Sequence, residues 1–196
     1  DFEVLGSEPI SSDGEGRTYG IELLYQQKFT GKFYAVSSIT LYKSEFTNAN
    51  AGDYIPALWD NGVLISLLGG YKFGNNWEIS SRYRYLGNSP YPPVNQQATL
   101  DNYPAVIRDY TLLGTVELDP LSQLDVRIDK KMSFNSFSLD VFLEVQNILA
   151  QTSPSRPSYG LDRDEDGNVI TPRSLVIVNG DDDASVLPSI GLVLNF

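Results

Sequence analysis

Residues 186–196 read VLPSIGLVLNF. Counted back in twos from Phe196, one parity carries Leu194, Leu192, Ile190 and Pro188, and the other carries Asn195, Val193, Gly191 and Ser189. Successive side chains of a strand point to opposite faces, so this period of two predicts a strand with one apolar face ending in Phe and one face that is small or polar. The same alternation recurs upstream. It is cleanest where Trp77, Ile79, Ser81, Tyr83 and Tyr85 oppose Glu78, Ser80, Arg82 and Arg84. Leu124, Val126 and Ile128 likewise face away from Asp125, Arg127 and Asp129, and Leu139, Val141, Leu143 and Val145 away from Ser138, Asp140, Phe142, Glu144 and Gln146. Tyr19, Ile21, Leu23 and Tyr25 oppose Gly20, Glu22, Leu24 and Gln26, and Val63, Ile65, Leu67, Gly69, Tyr71 and Phe73 make one face of another strand. Phe33 to Phe46 also reads as a strand, but its sequence does not fix which face is which.

The connections between these strands alternate in length. Short turns fall at residues 29–32, 74–76 and 133–136, and long Gly-, Asn-, Asp- and Pro-rich stretches at 47–60, 87–109 and 149–183, the last with a hairpin expected from Asn168 to Val178. Charge follows the same division. Residues 1–16, 45–60, 87–109 and 149–183 carry 17 acidic and 4 basic side chains, whereas the remainder carries 8 and 10. The acid therefore sits in the loops, and binding to nucleic acid, which needs basic patches, is not expected. The 196 residues contain no Cys and no His, which excludes disulfides, zinc sites of the usual ligands and Cys- or His-based catalysis. The length admits one domain with a sizeable core. No run of about 18 apolar residues exists, so no membrane-spanning helix is expected, although a barrel hides its membrane signal in alternation.

Short turns on one rim and long loops on the other predict an all-β, antiparallel transmembrane β-barrel of the outer membrane, its long acidic loops extracellular and its carboxy-terminus periplasmic. Phe29, Phe33, Phe73, Trp77, Phe134, Phe137 and Phe196 collect at the short-turn rim, as rings do at a membrane interface. Lys28, Lys32, Lys72, Lys130 and Lys131 lie beside them, placed to reach lipid headgroups. About seven wall strands are expected, whereas a complete bacterial barrel has an even number. The segment is thus expected to be part of a larger barrel.

The order of these strands is similar to the carboxy-terminal part of the barrel of a TonB-dependent outer-membrane receptor, of the type found in Bacteroidetes. The residues that carry the resemblance are Gly16-Arg17-Thr18-Tyr19-Gly20-Ile21-Glu22-Leu23, Leu124 to Lys131 followed by a turn, Val145-Gln146-Asn147-Ile148-Leu149, and Leu187 to Phe196. Ile190, Leu192, Leu194 and Phe196 resemble the signal read by the barrel-assembly machinery. The resemblance implies a 22-stranded barrel with a plugged lumen that imports a scarce ligand, such as a siderophore or metal chelate, with energy passed from TonB through a plug region lying outside residues 1–196. Its further partners would be outer-membrane lipid and lipopolysaccharide. No longer ending of the kind associated with glycan importers that pair with a surface lipoprotein is present. Two other architectures fit the strand pattern: a small self-contained outer-membrane barrel of structural or adhesive role, and a secreted glycan-binding β-sandwich.

Three groups of residues are candidate sites. Glu22, Glu78, Arg82, Arg84, Asp125, Arg127, Asp129, Asp140 and Glu144 fall on the inner parity, where they would line a translocation path or form a charge-compensated wall wetted by lumen water. Asp162, Asp164 and Asp166 with Gly167 and Asn168 reproduce the opening of a calcium loop, in which alternate oxygens converge on a hard cation. Arg173 stands where the bidentate Glu belongs, so the same residues also read as a solvated acidic turn; Asp181, Asp182 and Asp183 are the candidates for the missing oxygens. Tyr54, Trp59, Tyr91, Tyr103 and Tyr159 are loop aromatics that could stack on a small ligand or pack on their own loops. No pattern of residues points to an enzyme.

Overall fold

The computed structural model describes residues 14–47, 52–178 and 184–196. In chain order the strands are β1 (Glu15–Thr30), β2 (Phe33–Thr47), β3 (Ile55–Pro56), β4 (Val63–Phe73), β5 (Trp77–Leu86) and β6 (Ser89–Tyr91). A short helix α1 (Gln96–Asp101) follows, then β7 (Val116–Leu118), β8 (Leu121–Ser133), β9 (Ser138–Gln146), β10 (Tyr159–Leu161), β11 (Leu175–Ile177) and β12 (Leu187–Asn195). The seven long strands pair antiparallel in the order β1-β2-β4-β5-β8-β9-β12, and β3 adds to β2 to complete an eight-stranded sheet. The chain is all-β and the sheet is open: β1 and β12 are its two ends and do not pair with each other.

Register joins the alternating strands into two continuous faces. Ile21 faces Leu41, Leu41 faces Val63, and Leu23, Ile39, Ile65, Tyr85 and Ser122 form the next row. Tyr71, Ile79, Ile128, Leu143 and Ile190 form a row across the middle of the sheet. These pairings settle the faces of β2: Ile39 and Leu41 lie on the apolar side and Tyr34, Ser38 and Thr40 on the polar side. A one-residue slip would exchange the faces of a whole strand, so the hydrophobic pattern and the tight turns specify a single register.

Chain length admits a sizeable core, and among the described residues none is present. Among the described residues the buried apolar side chains are Ala35, Ala57, Leu113 and the prolines Pro90 and Pro92 of the second long connection, while Ile21, Ile79, Leu143, Ile190 and Leu192 are exposed. The physical reason is that the sheet is one layer. The two further sheets, β6-β7 and β10-β11, have two strands each and belong to the long connections, and the exposure of Ile21, Ile79, Leu143 and Ile190 shows that neither covers the apolar face as the second half of a β-sandwich would.

The connections differ in detail from the sequence reading. At the turn 74–76, Asn75 and Asn76 take φ of 60° and 58°, a left-handed conformation that Asn tolerates. The second long connection runs from residue 87 to residue 120, because β8 pairs with β5 out to Leu121↔Leu86 and so begins before Leu124. It contains β6, α1 and β7. The hairpin of the last connection is larger than Asn168–Val178. It starts at Tyr159, paired with Ile177, and turns at 164–167 below an Arg163↔Val169 bridge.

Candidate functional site on the polar face

Glu22, Glu78, Arg82, Arg84, Asp125, Arg127, Asp129, Asp140 and Glu144 all lie on the polar face, because the register keeps their parity common from β1 to β9. Eight of them are joined into ion pairs. Asp125, 4 % exposed, accepts from Arg82 Nε and Nη2 at 3.1 and 2.7 Å, and Arg84 Nη2 lies 3.8 Å away. Gln123 Nε2 and the Asn147 backbone N–H fill the other oxygen of Asp125, each at 3.0 Å. One row further from the long loops, Arg127 grips Asp129 at 2.6–3.0 Å, approaches Glu144 at 3.6 Å and lies 3.7 Å above the Phe142 ring. Nearer the turns, Glu78 accepts from the Tyr34 hydroxyl at 2.6 Å and pairs with Lys72 at 3.4 Å, and Lys131 pairs with Asp140 at 3.8 Å. Among the described residues Glu22 makes no ion pair.

Tyr34, Lys72, Gln123, Lys131 and Asn147 were not legible as members of this ladder. Tyr34 sits on the strand whose faces the sequence left open. Asn147 follows directly on β9 with φ of 53°, and its only sequence signal is that Asn ends the alternating run. Two glycines keep the ladder's rings in place. A Cβ on Gly70 would sit 2.3 Å from the Tyr34 ring, and one on Gly191 would sit 2.2 Å from the ring of Phe142, its cross-strand neighbour.

Toward the long loops, Glu45 accepts from Arg17 at 2.7 Å and pairs with Lys43 at 2.5 Å. These two cations, Lys43 foremost, hold the Glu45 carboxyl below the usual carboxylate range. Arg17 also stacks 3.8 Å over Tyr54, whose hydroxyl donates to Glu15. Trp59 donates from Nε1 to the buried Ser44 hydroxyl at 2.9 Å, leaving most of its ring exposed. Tyr91 lies in β6, Tyr159 in β10, and Tyr103 precedes a cis proline after α1. Among the described residues no ring contact joins any two of these five aromatics.

At the opposite rim the rings do gather. Phe73 stacks on Trp77 at 6.4 Å, Phe134 on Phe137 at 4.6 Å, Lys72 lies over Phe29 at 4.7 Å and Lys130 over Trp77 at 5.0 Å. Ile190, Leu192 and Leu194 share the apolar face of β12, and the Phe196 side chain is exposed.

The acidic segment forms the tip of the β10-β11 hairpin. Asp164 accepts the backbone N–H of Asp166 and Asn168 at 3.1 and 2.8 Å, Gly167 supplies φ of 84°, and Asp162 accepts from the Ser174 hydroxyl at 3.4 Å. Among the described residues no three carboxylates gather closely enough to hold a metal ion. Asp181, Asp182 and Asp183 lie outside the described residues. No family model matches the chain, and neither a curated protein nor a solved structure matches it.

Proposed function

We propose that this chain is part of the wall of an outer-membrane β-barrel, and within that class the carboxy-terminal wall segment of a TonB-dependent importer of a scarce small ligand. The observation that carries the membrane reading is a single-layer sheet in which one face is apolar and exposed from β1 to β12 while the other is a ladder of paired charges. Water would oppose the exposure of so large an apolar face. Lipid on that side and a wet lumen on the other satisfy both faces at once.

The stacked rings and lysines at the short-turn rim support a periplasmic membrane boundary there, and the acidic loops then lie outside the cell. Among the described residues β1 and β12 each leave one edge without a partner strand, which supports continuation into further strands, since an exposed edge is a row of unpaired backbone groups. The order of strands and turns supports the receptor type, with TonB acting through parts beyond these residues. Transport, with no chemical step, is the activity this arrangement serves.

The test is the size of the native species extracted from its outer membrane and detected with an antibody to residues 149–183. An importer gives a heat-modifiable band several times larger than 21.8 kDa. A native band near 21.8 kDa removes the importer and leaves a small self-contained barrel.

A further inference from the structure

At the long-loop end of the polar face, beyond the ladder's charged side chains, lies a groove lined in part by Gln123 and Asn147, two partners of Asp125. Its first basin, about 320 Å³, is bounded by Gln146 and Asn147 at the end of β9, by Gln151 on the outgoing limb of the last connection, and by Ser185 and Leu187 on the returning limb. Its second, about 270 Å³, is bounded by Tyr91 of β6, by Glu117 and Asp119, and by Pro154. Thr152 and Ser153 line both, so the basins adjoin. Each is near the lower end of small-ligand sites, roughly 300–1,000 Å³.

The chemistry of the lining narrows the ligand. Neither basin is lined by Lys or Arg. An anionic ligand would therefore lose its hydration without gaining a charge partner. Amides and hydroxyls that both donate and accept dominate the first basin, and the second adds two acceptor carboxylates and the Tyr91 ring. A ligand whose groups each donate and accept, on a ring with apolar C–H faces, is matched by that set.

Several of these groups are free to serve it. The Gln151 amide and the Thr152 and Ser153 hydroxyls make no side-chain hydrogen bond among the described residues. The groove is also fixed in advance by one residue. Asn147 donates from Nδ2 to Gln151 O at 2.9 Å and to Ser185 O at 3.1 Å, and accepts from the Gln151 N–H at 3.1 Å. Its own backbone N–H is held by the buried Asp125. Both limbs of the loop are thus clasped to the sheet before anything binds, which lowers the ordering cost of binding.

We infer that this groove binds a neutral, polyhydroxylated ligand of the oligosaccharide class, Tyr91 stacking on a ring and the Gln151 amide with the Thr152 and Ser153 hydroxyls bonding its hydroxyls. The inference rests on the importer reading only for the ligand's onward passage. Protein extracted from its native membrane is titrated calorimetrically with maltotriose, xylotriose and mannotriose, and with trigalacturonic acid as the anionic counterpart. Saturable heat is expected with at least one neutral trisaccharide and none with trigalacturonic acid. Tyr91→Ala and Gln151→Ala each weaken binding about five- to tenfold, the scale of one lost contact. Tyr110→Ala, which changes an exposed ring of the second long connection outside the groove, leaves it unchanged. No heat with any neutral trisaccharide, or binding indifferent to both variants, overturns the groove; heat-modifiable migration of the same sample then still supports the wall. A sample that stays dispersed without detergent overturns the wall instead, and the titration still judges the groove.

Discussion

Asp125 is the residue whose loss should spread furthest. It is buried, and it holds Arg82, Gln123 and the Asn147 N–H together. Asp125→Ala leaves a guanidinium and a backbone donor unpaired, but Arg82 is 44 % exposed and water can reach it. The expected cost is therefore about 1–3 kcal/mol in urea unfolding from lipid bilayers, with Asp125→Asn milder. Gly191→Ala should destabilise through a clash with the Phe142 ring, and the double variant with Phe142→Ala should recover part of the loss. Glu45 gives a pH signature at the loop end of the wall. Its folded pKa is depressed by Lys43 and Arg17, so its stabilising contribution is present above the unfolded carboxylate pKa and is lost as pH falls through the lower, folded value. Unfolding midpoints followed against pH should show that loss, and Glu45→Gln should flatten it. The sequence made most of the ladder legible, since Glu78, Arg82, Arg84, Asp125 and Arg127 alternate strictly with apolar neighbours. Tyr34 was hidden because β2 carries Ile39 and Leu41 on one parity and Thr40 and Tyr42 on the other, and only cross-strand register resolves them; the same register puts Glu45 and Arg17 on the parity of Ile39 and Ile21, outside the ladder.

Strands respond to substitution by face. Arg placed at Leu143 or Ile79, both exposed on the apolar side, should cost about 2–4 kcal/mol at the bilayer midplane and less toward a rim. Arg82→Lys and Glu144→Gln, three and one residues along the same strands on the polar side, should cost much less. Refolding yields and unfolding midpoints in vesicles check this, and equal effects on both faces would contradict lipid contact. The seven long strands and their three tight turns were readable because period-two alternation and Gly/Asn turn chemistry are local signals. The pairings inside the long connections were not. β3 against β2, β6 against β7 and β10 against β11 involve two or three residues each, too few for a period to show, and Pro56 and Pro90 argue against a strand by composition.

At the scale of the molecule, the described residues form a sheet without a core, a point on which length alone is no guide. A chain of 196 residues can bury a core when its apolar residues face one another across two layers. Here register places most of them on one side of a single layer, so the partner of the apolar face has to be something other than this chain's described residues. The most direct test uses the absence of cysteine from residues 1–196. Single Cys residues introduced in turn at 139–145 and at 77–83 carry a spin label in a reconstituted bilayer, and collision with oxygen and with a water-soluble nickel chelate is measured at each. We expect labels at Leu139, Val141, Leu143 and Ile79 to meet oxygen and not nickel, and labels at Asp140, Glu144, Ser80 and Arg82 to meet nickel, a strict alternation of period two. Nickel access on both parities would place water on both faces of the sheet and contradict the membrane wall.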